Sequence, residues 1–160
     1  MNRRSRHSGF TLIEMIVTVA LIAIIASVAT PFMKLQIQRE KEHELKEALR
    51  EIRTAIDSYK QAGDEGLIAR SADSTGYPQS LGELVTGVAN QRDPKGRKIY
   101  FLRRIPRDPM NPSQSVPPEN SWGKRSYASE VDHPAEGNDV YDVYSSSDKT
   151  GTNGIPYREW

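Results

Sequence analysis

From Phe10 to Ala29 the chain runs 20 residues in which only Thr11, Glu14, Thr18 and Ser27 are polar. As a helix that run is about 30 Å long, which matches the hydrocarbon core of a bilayer. The chain must therefore present one membrane-length helix near its start and build its remaining structure behind it. One carboxylate, Glu14, stands inside the run. An unpaired charge costs roughly 2.5–3.5 kcal/mol at mid-membrane on insertion scales, and less near an interface. A plain anchor has no use for such a residue. Glu14 lies five residues after Gly9 and behind a leader, MNRRSRHSG, that carries three arginines and no acid.

The 160 residues suffice for one domain plus an extension. With 22 Lys and Arg against 21 Asp and Glu, the formal net charge is +1. Without the leader arginines, 19 basic residues face 21 acidic ones, so net charge lends no support to nucleic-acid binding. There are no cysteines, which excludes disulfides, thiol catalysis, zinc–thiolate sites and thioether haem attachment. A secretory signal peptide has a shorter apolar core followed by a small-residue cleavage site. A simple signal anchor fits the length but leaves Gly9 and Glu14 without a reason. Arginines on the short N-terminal side favour keeping that end cytoplasmic and exporting the rest.

Gly9, then Phe10-Thr11-Leu12-Ile13-Glu14, then the apolar run and Pro31 resemble the start of type IV pilins and pseudopilins. The resemblance implies that a prepilin peptidase cuts between Gly9 and Phe10 and that the new N-terminal Phe10 is N-methylated. It also implies that the apolar helix stays as membrane anchor and later forms the filament core. A cut there leaves a cationic amine on Phe10, since such amines have pKa values of roughly 7.7–8.0. In a staggered filament Glu14 of one copy reaches the Phe10 amine of a neighbour. At ~4 Å and an effective dielectric near ~20 the attraction is ~4 kcal/mol before desolvation. Glu14 is thus expected to set subunit register, and Pro31 to kink or locally open the helix.

Beyond Pro31, Leu45, Ala48, Leu49, Ile52, Ala55, Ile56 and Tyr59 recur at three- and four-residue steps, which predicts one apolar helix face. Lys34–Glu44 reads as an exposed charged neck, and Lys60 followed by Gly63 as the stop. The expected division is a leader over 1–9, a transmembrane and filament-core helix over 10–31, an amphipathic helix over 32–62, and a globular head over 63–160. The head holds nine of the ten prolines, so its regular elements are expected to be short. A short helix is predicted after Pro78, over Ser80–Val85, and strands over Arg125–Glu130 and Asp139–Ser145. The fold class is α+β: a long N-terminal helix packed on a small C-terminal antiparallel sheet with long loops.

Tyr100–Pro109, Trp122-Gly123, Tyr127 and Tyr141–Ser145 resemble stretches of the G-type, or major, pseudopilins of type II secretion. In their usual pattern Asp-Pro is followed at once by Trp-Gly, whereas here Met110–Ser121 intervenes, a Pro/Ser/Asn-rich insertion expected to be a surface loop. Those pseudopilins lack the pilin disulfide and bind calcium in the last loop. The resemblance places Asp148 and Asn153 as candidate ligands of a Ca2+ ion. Calcium takes 6–8 oxygens, however, while Asn brings no charge and Lys149 adds an unhelpful one. The bare reading of the same loop is a turn of small polar residues.

Catalysis is not expected. His7, His43 and His133 fall in the leader, the neck and a loop, and no nucleophile elbow, phosphate loop or zinc-protease motif occurs. The basic cluster Arg103-Arg104 with Arg107 reads as a solvated or inter-subunit face. The resemblance implies a structural subunit of a periplasmic pseudopilus that promotes export of folded proteins. It would be anchored in the bacterial inner membrane by a single pass, with its N-terminus cytoplasmic and its head periplasmic. The implied partners are further copies in a homo-oligomeric filament, minor pseudopilins, the prepilin peptidase and an inner-membrane assembly platform. Glu14 favours a principal subunit, because by resemblance a tip subunit can lack it. Two alternatives stay open at this point: a type IV pilus subunit working in adhesion or motility, and a monomeric signal-anchored periplasmic binding protein.

Overall fold

The computed structural model describes residues 9–71, 73–111, 113 and 115–160, leaving aside the side chains of 28–31. The leader residues 1–8 and the kink expected at Pro31 lie outside the described residues. Helix α1 runs Leu12–Asp64. Thr11 caps it: the Thr11 Oγ1 accepts the Glu14 N–H at 3.3 Å, and the Thr11 carbonyl accepts the Met15 N–H at 3.2 Å. Thr11 and Glu14 hold the N-cap and third positions of a capping-box sequence.

The chain divides into two compact units, residues 1–39 and 40–160, and α1 contributes to both. In the first unit, Leu12, Ile13, Ile16, Val19, Ile22 and Ile25 are all exposed. Among the described residues, α1 is the one helix long and apolar enough to cross a membrane. In the second unit the predicted stripe is buried: Leu45, Leu49, Ile52 and Ile56 pack with Leu81, Leu84, Leu102, Trp122, Val140, Val143 and Tyr157. Each large side chain so buried is worth about 1.5–3 kcal/mol of transfer energy.

The helix ends later than Gly63. The Leu67 N–H reaches the Ala62 carbonyl at 2.8 Å across Gly66, whose φ is 69°. That is a six-to-one C-terminal closure with glycine in the left-handed position, so Gly66 is the stop. Helix α2 spans Leu81–Thr86, entered through extended Ser80 and left through Gly87. It buries Leu81 and Leu84 against α1's stripe.

The sheet is divided in two. Strand β1 (Val88–Ala89) pairs antiparallel with β2 (Lys98–Ile99), in register Val88 to Ile99. Strand β3 (Trp122–Arg125) pairs antiparallel with β4 (Asp142–Ser145), in register Trp122 to Ser145. Both predicted strands are shorter than expected and one is displaced. Past Arg125 the chain leaves the ladder because the Ser126 hydroxyl and the Tyr127 N–H both donate to Asp139, at 2.7 and 2.9 Å. The Met110–Ser121 insertion ends in a 3-10 turn over Pro118–Ser121. Arg107 is not a solvated residue: its two Nη atoms donate to the Ser113 and Val116 carbonyls of that insertion.

Candidate assembly site and the last loop

The residues proposed for processing and assembly are at the tip of α1. Gly9 and Phe10 precede the helix and are exposed, Phe10 at 76 %. Glu14 sits in the first turn, where its backbone N–H is consumed by the Thr11 cap. Its carboxylate is exposed and makes no hydrogen bond or ion pair among the described residues. Backbone satisfaction and side-chain availability are thus separated in one residue. The tip offers an acceptor to a cation and presents none of its own from the described part of the chain.

The head's polar centre is Asp108, of the Asp108-Pro109 pair. It is 1 % exposed. Oδ1 accepts the Met110 N–H at 2.8 Å, while Oδ2 accepts the Ser145 hydroxyl at 2.7 Å and the Ser146 N–H at 3.3 Å. The Asp108 N–H in turn donates to the Ser121 Oγ at 3.1 Å. One buried carboxylate therefore ties the start and end of the insertion to the end of β4. Burial alone pushes the Asp139 carboxyl up, but hydrogen bonds from Thr75, Ser126 and Tyr127 outweigh it and hold its pKa below the usual carboxylate value.

The last loop is a narrow hairpin. The Tyr157 N–H donates to the Lys149 carbonyl, Thr150 bridges Pro156, and the Gly151 N–H donates to the Ile155 carbonyl. Asn153 is at the tip of this ladder and Asp148 is just outside its base. Three residue steps lead from Asp148 to Gly151, about 10 Å of extended chain at ~3.3 Å per step. Calcium oxygens must lie about 2.3–2.6 Å from one ion. Asn153 Oδ1 is moreover engaged by the Ile155 N–H at 3.1 Å. Among the described residues, no three His, Asp or Glu side chains gather as a metal ion would require. With Asp148 outside the base of the hairpin, Asn153 at its tip and Asn153 Oδ1 already engaged, the side chains present do not make up the donor set that the expected calcium site needs.

A different residue reaches this loop. Glu42 is not part of an exposed neck: it is 5 % exposed. Its Oε1 accepts the Thr152 N–H at 2.8 Å and the Tyr157 hydroxyl at 2.9 Å, and its Oε2 accepts the Thr152 hydroxyl. The signal was in the spacing. Residues 42, 45, 49, 52 and 56 continue one three-and-four stripe, and a charged member at its end is easily read as the first exposed turn. Arg53, on the flank of the stripe, donates from Nε to Asp142 Oδ1 at 2.7 Å and from Nη2 to the Val143 and Trp160 main-chain oxygens at 3.1 and 2.8 Å.

Two exposed stretches of the head border the same helix. Arg92, Lys95, Arg97, Lys98, Arg103 and Arg104 are exposed on the segment through β2, which meets α1 where Phe101–Arg103 lie beside Glu47, Glu51, Thr54 and Ser58. Glu130, Asp132 and Glu136 are exposed on the loop between β3 and β4, whose residues Val131–Ala135 share a groove with Arg53. At 3.6 residues per turn these are opposite flanks of the Leu49–Ile52–Ile56 stripe.

A family model described as the prokaryotic N-terminal methylation motif matches residues 4–30. The chain is 31 % identical over 121 residues to the type II secretion system core protein G of Pseudomonas aeruginosa, covering 72 % of this chain and 78 % of that one. It is 28 % identical over 127 residues to the protein of the same name from Aeromonas hydrophila, with coverage of 76 % and 80 %. Against that of Vibrio cholerae it is 27 % identical over 112 residues, with coverage of 68 % and 69 %. No solved structure matches the chain.

Proposed function

The chain belongs to the family of type II secretion system core protein G, and from that premise we propose that it polymerises, through α1, into the shaft of a periplasmic pseudopilus. It is a pseudopilin, a membrane-anchored subunit of a type II secretion system. The observation that carries the reading is the 31 % identity to core protein G over 72 % of this chain, joined by the separate match of residues 4–30 to the N-terminal methylation motif.

A prepilin peptidase cuts after Gly9 at the cytoplasmic face, Phe10 becomes the N-methylated terminus, and the head stands in the periplasm. The exposed Glu14 carboxylate then pairs with the Phe10 amine of an adjacent copy. The capped first turn supports this, since Thr11 leaves the Glu14 side chain free of a backbone duty. Minor pseudopilins and an inner-membrane platform complete the assembly. The protein's part is mechanical rather than catalytic: extraction from the membrane into a growing fibre moves folded cargo outward.

The test is secretion itself. Deleting the gene should leave type II exoproteins trapped in the periplasm, and the wild-type gene should restore their release. Unimpaired secretion in the deletion strain, with no second copy of the gene, would contradict the assignment.

A further inference from the structure

We propose that the last loop of this head is held in place by the Glu42 carboxylate of α1 and takes no divalent cation. The inference concerns how the head is closed and does not depend on whether the chain polymerises. A carboxylate removed from water is unfavourable unless its lone pairs are taken up by donors. Glu42 is buried, and its two oxygens accept hydrogen bonds from the loop: from the Thr152 N–H, the Thr152 hydroxyl and the Tyr157 hydroxyl. Such charge-assisted bonds are the strong class. The loop is therefore pinned at its tip, through Thr152, and at its base, through Tyr157, by one side chain.

A calcium ion in a loop does the same physical work by gathering oxygens from separate points of the chain. Here the gathering is inverted: one pair of oxygens gathers donors. The two arrangements compete at Glu42, because N–H and O–H donors take up most of the lone-pair directions a cation would need. The loop's own oxygen side chains offer no second place. Asp148 and Asn153 are at opposite ends of the hairpin ladder, and Asn153 Oδ1 already accepts from Ile155. Arg53 supplies a second attachment three helical turns further on, donating to the Trp160 main-chain oxygen, and the Trp160 ring packs edge-on against Tyr157 at 5.1 Å. The tip of the loop, its Tyr157 side and the Trp160 that follows are thus fastened to α1 by side chains of that helix.

The full-length chain in detergent micelles provides the test, read by thermal unfolding and by hydrogen exchange of residues 149–157. The wild-type midpoint should be the same in excess EDTA and in millimolar calcium chloride. Glu42→Gln keeps the side chain's size but removes the charge and one acceptor oxygen. It should lower the midpoint by about 5 °C or more, and it should speed exchange of the Thr152 amide by about tenfold or more. Should Glu42→Gln fail to fold, Thr152→Val, which deletes only the hydroxyl donor, should speed exchange across 149–157 while leaving the metal response flat. A wild-type midpoint that rises with calcium and falls with EDTA overturns the proposal. So does unchanged exchange of the loop in both variants.

Discussion

Glu14 and Glu42 stand on one helix, and the chemistry around each determines what it can do. Glu42 is buried and both its oxygens accept from donors of its own chain. Glu14 is exposed, with only its backbone used. Glu14→Ala should still be processed after Gly9 and inserted in the membrane, but assembled material should fall by at least about tenfold, as loss of a charge pair worth more than ~1.4 kcal/mol implies. Quantifying processed chain against sheared fibre checks this, and undiminished fibre would sink the register role. Tyr59 yields a pH prediction of defined sign. Burial first, then the negative charge of Glu83 and the hydrogen bond to it at 3.1 Å, push its phenol from 10 up to about 12. A folded-state pKa above the unfolded one contributes stability that is complete below pH 10 and lost as pH rises through about 12. Tyr77 is raised too, by burial and then by Tyr141 and nearby acids. Tyr59→Phe should therefore reduce, not abolish, the alkaline loss of stability in denaturant titrations above pH 10.

At the scale of elements, what could be read from the chain was whatever repeats. The stripe from Leu45 to Ile56 and the apolar run after Phe10 have helical period and length, and both lie in α1. Ends were harder to read, because they depend on single contacts. Gly63 looked like the stop, but the left-handed residue is Gly66. The strand expected through Glu130 ends at Arg125 because Asp139, distant in sequence, captures Ser126 and Tyr127. Strands β1 and β2 have two residues each, too few to show any alternation. One motif acquires a physical reason: Gly123 lies under the Tyr144 ring, which any Cβ at that position would strike. Gly123→Ala should destabilise the head by about 1–3 kcal/mol through overpacking, measured as a lowered denaturation midpoint with an unchanged slope. An unaltered midpoint would mean that the ring moves aside at no cost.

For the whole molecule, the fold class was legible because a long helix followed by a proline-rich, cysteine-free segment leaves few ways to bury a core. The N-terminal motif was legible because its order, Gly9-Phe10 and then Glu14, is local, and a family model of that motif matches residues 4–30. The closure of the last loop was not, since its donors and acceptor are 110 and 115 residues apart. The central claim is that copies of this chain leave the membrane and stack into a fibre. Immunogold electron microscopy of sheared material, from cells that overproduce the chain together with its secretion machinery, tests it most directly. The account predicts short fibres labelled along their whole length by antibody to the head, and at least about tenfold fewer with Glu14→Ala. Membranes that hold only dispersed, unassembled protein under the same conditions would contradict it.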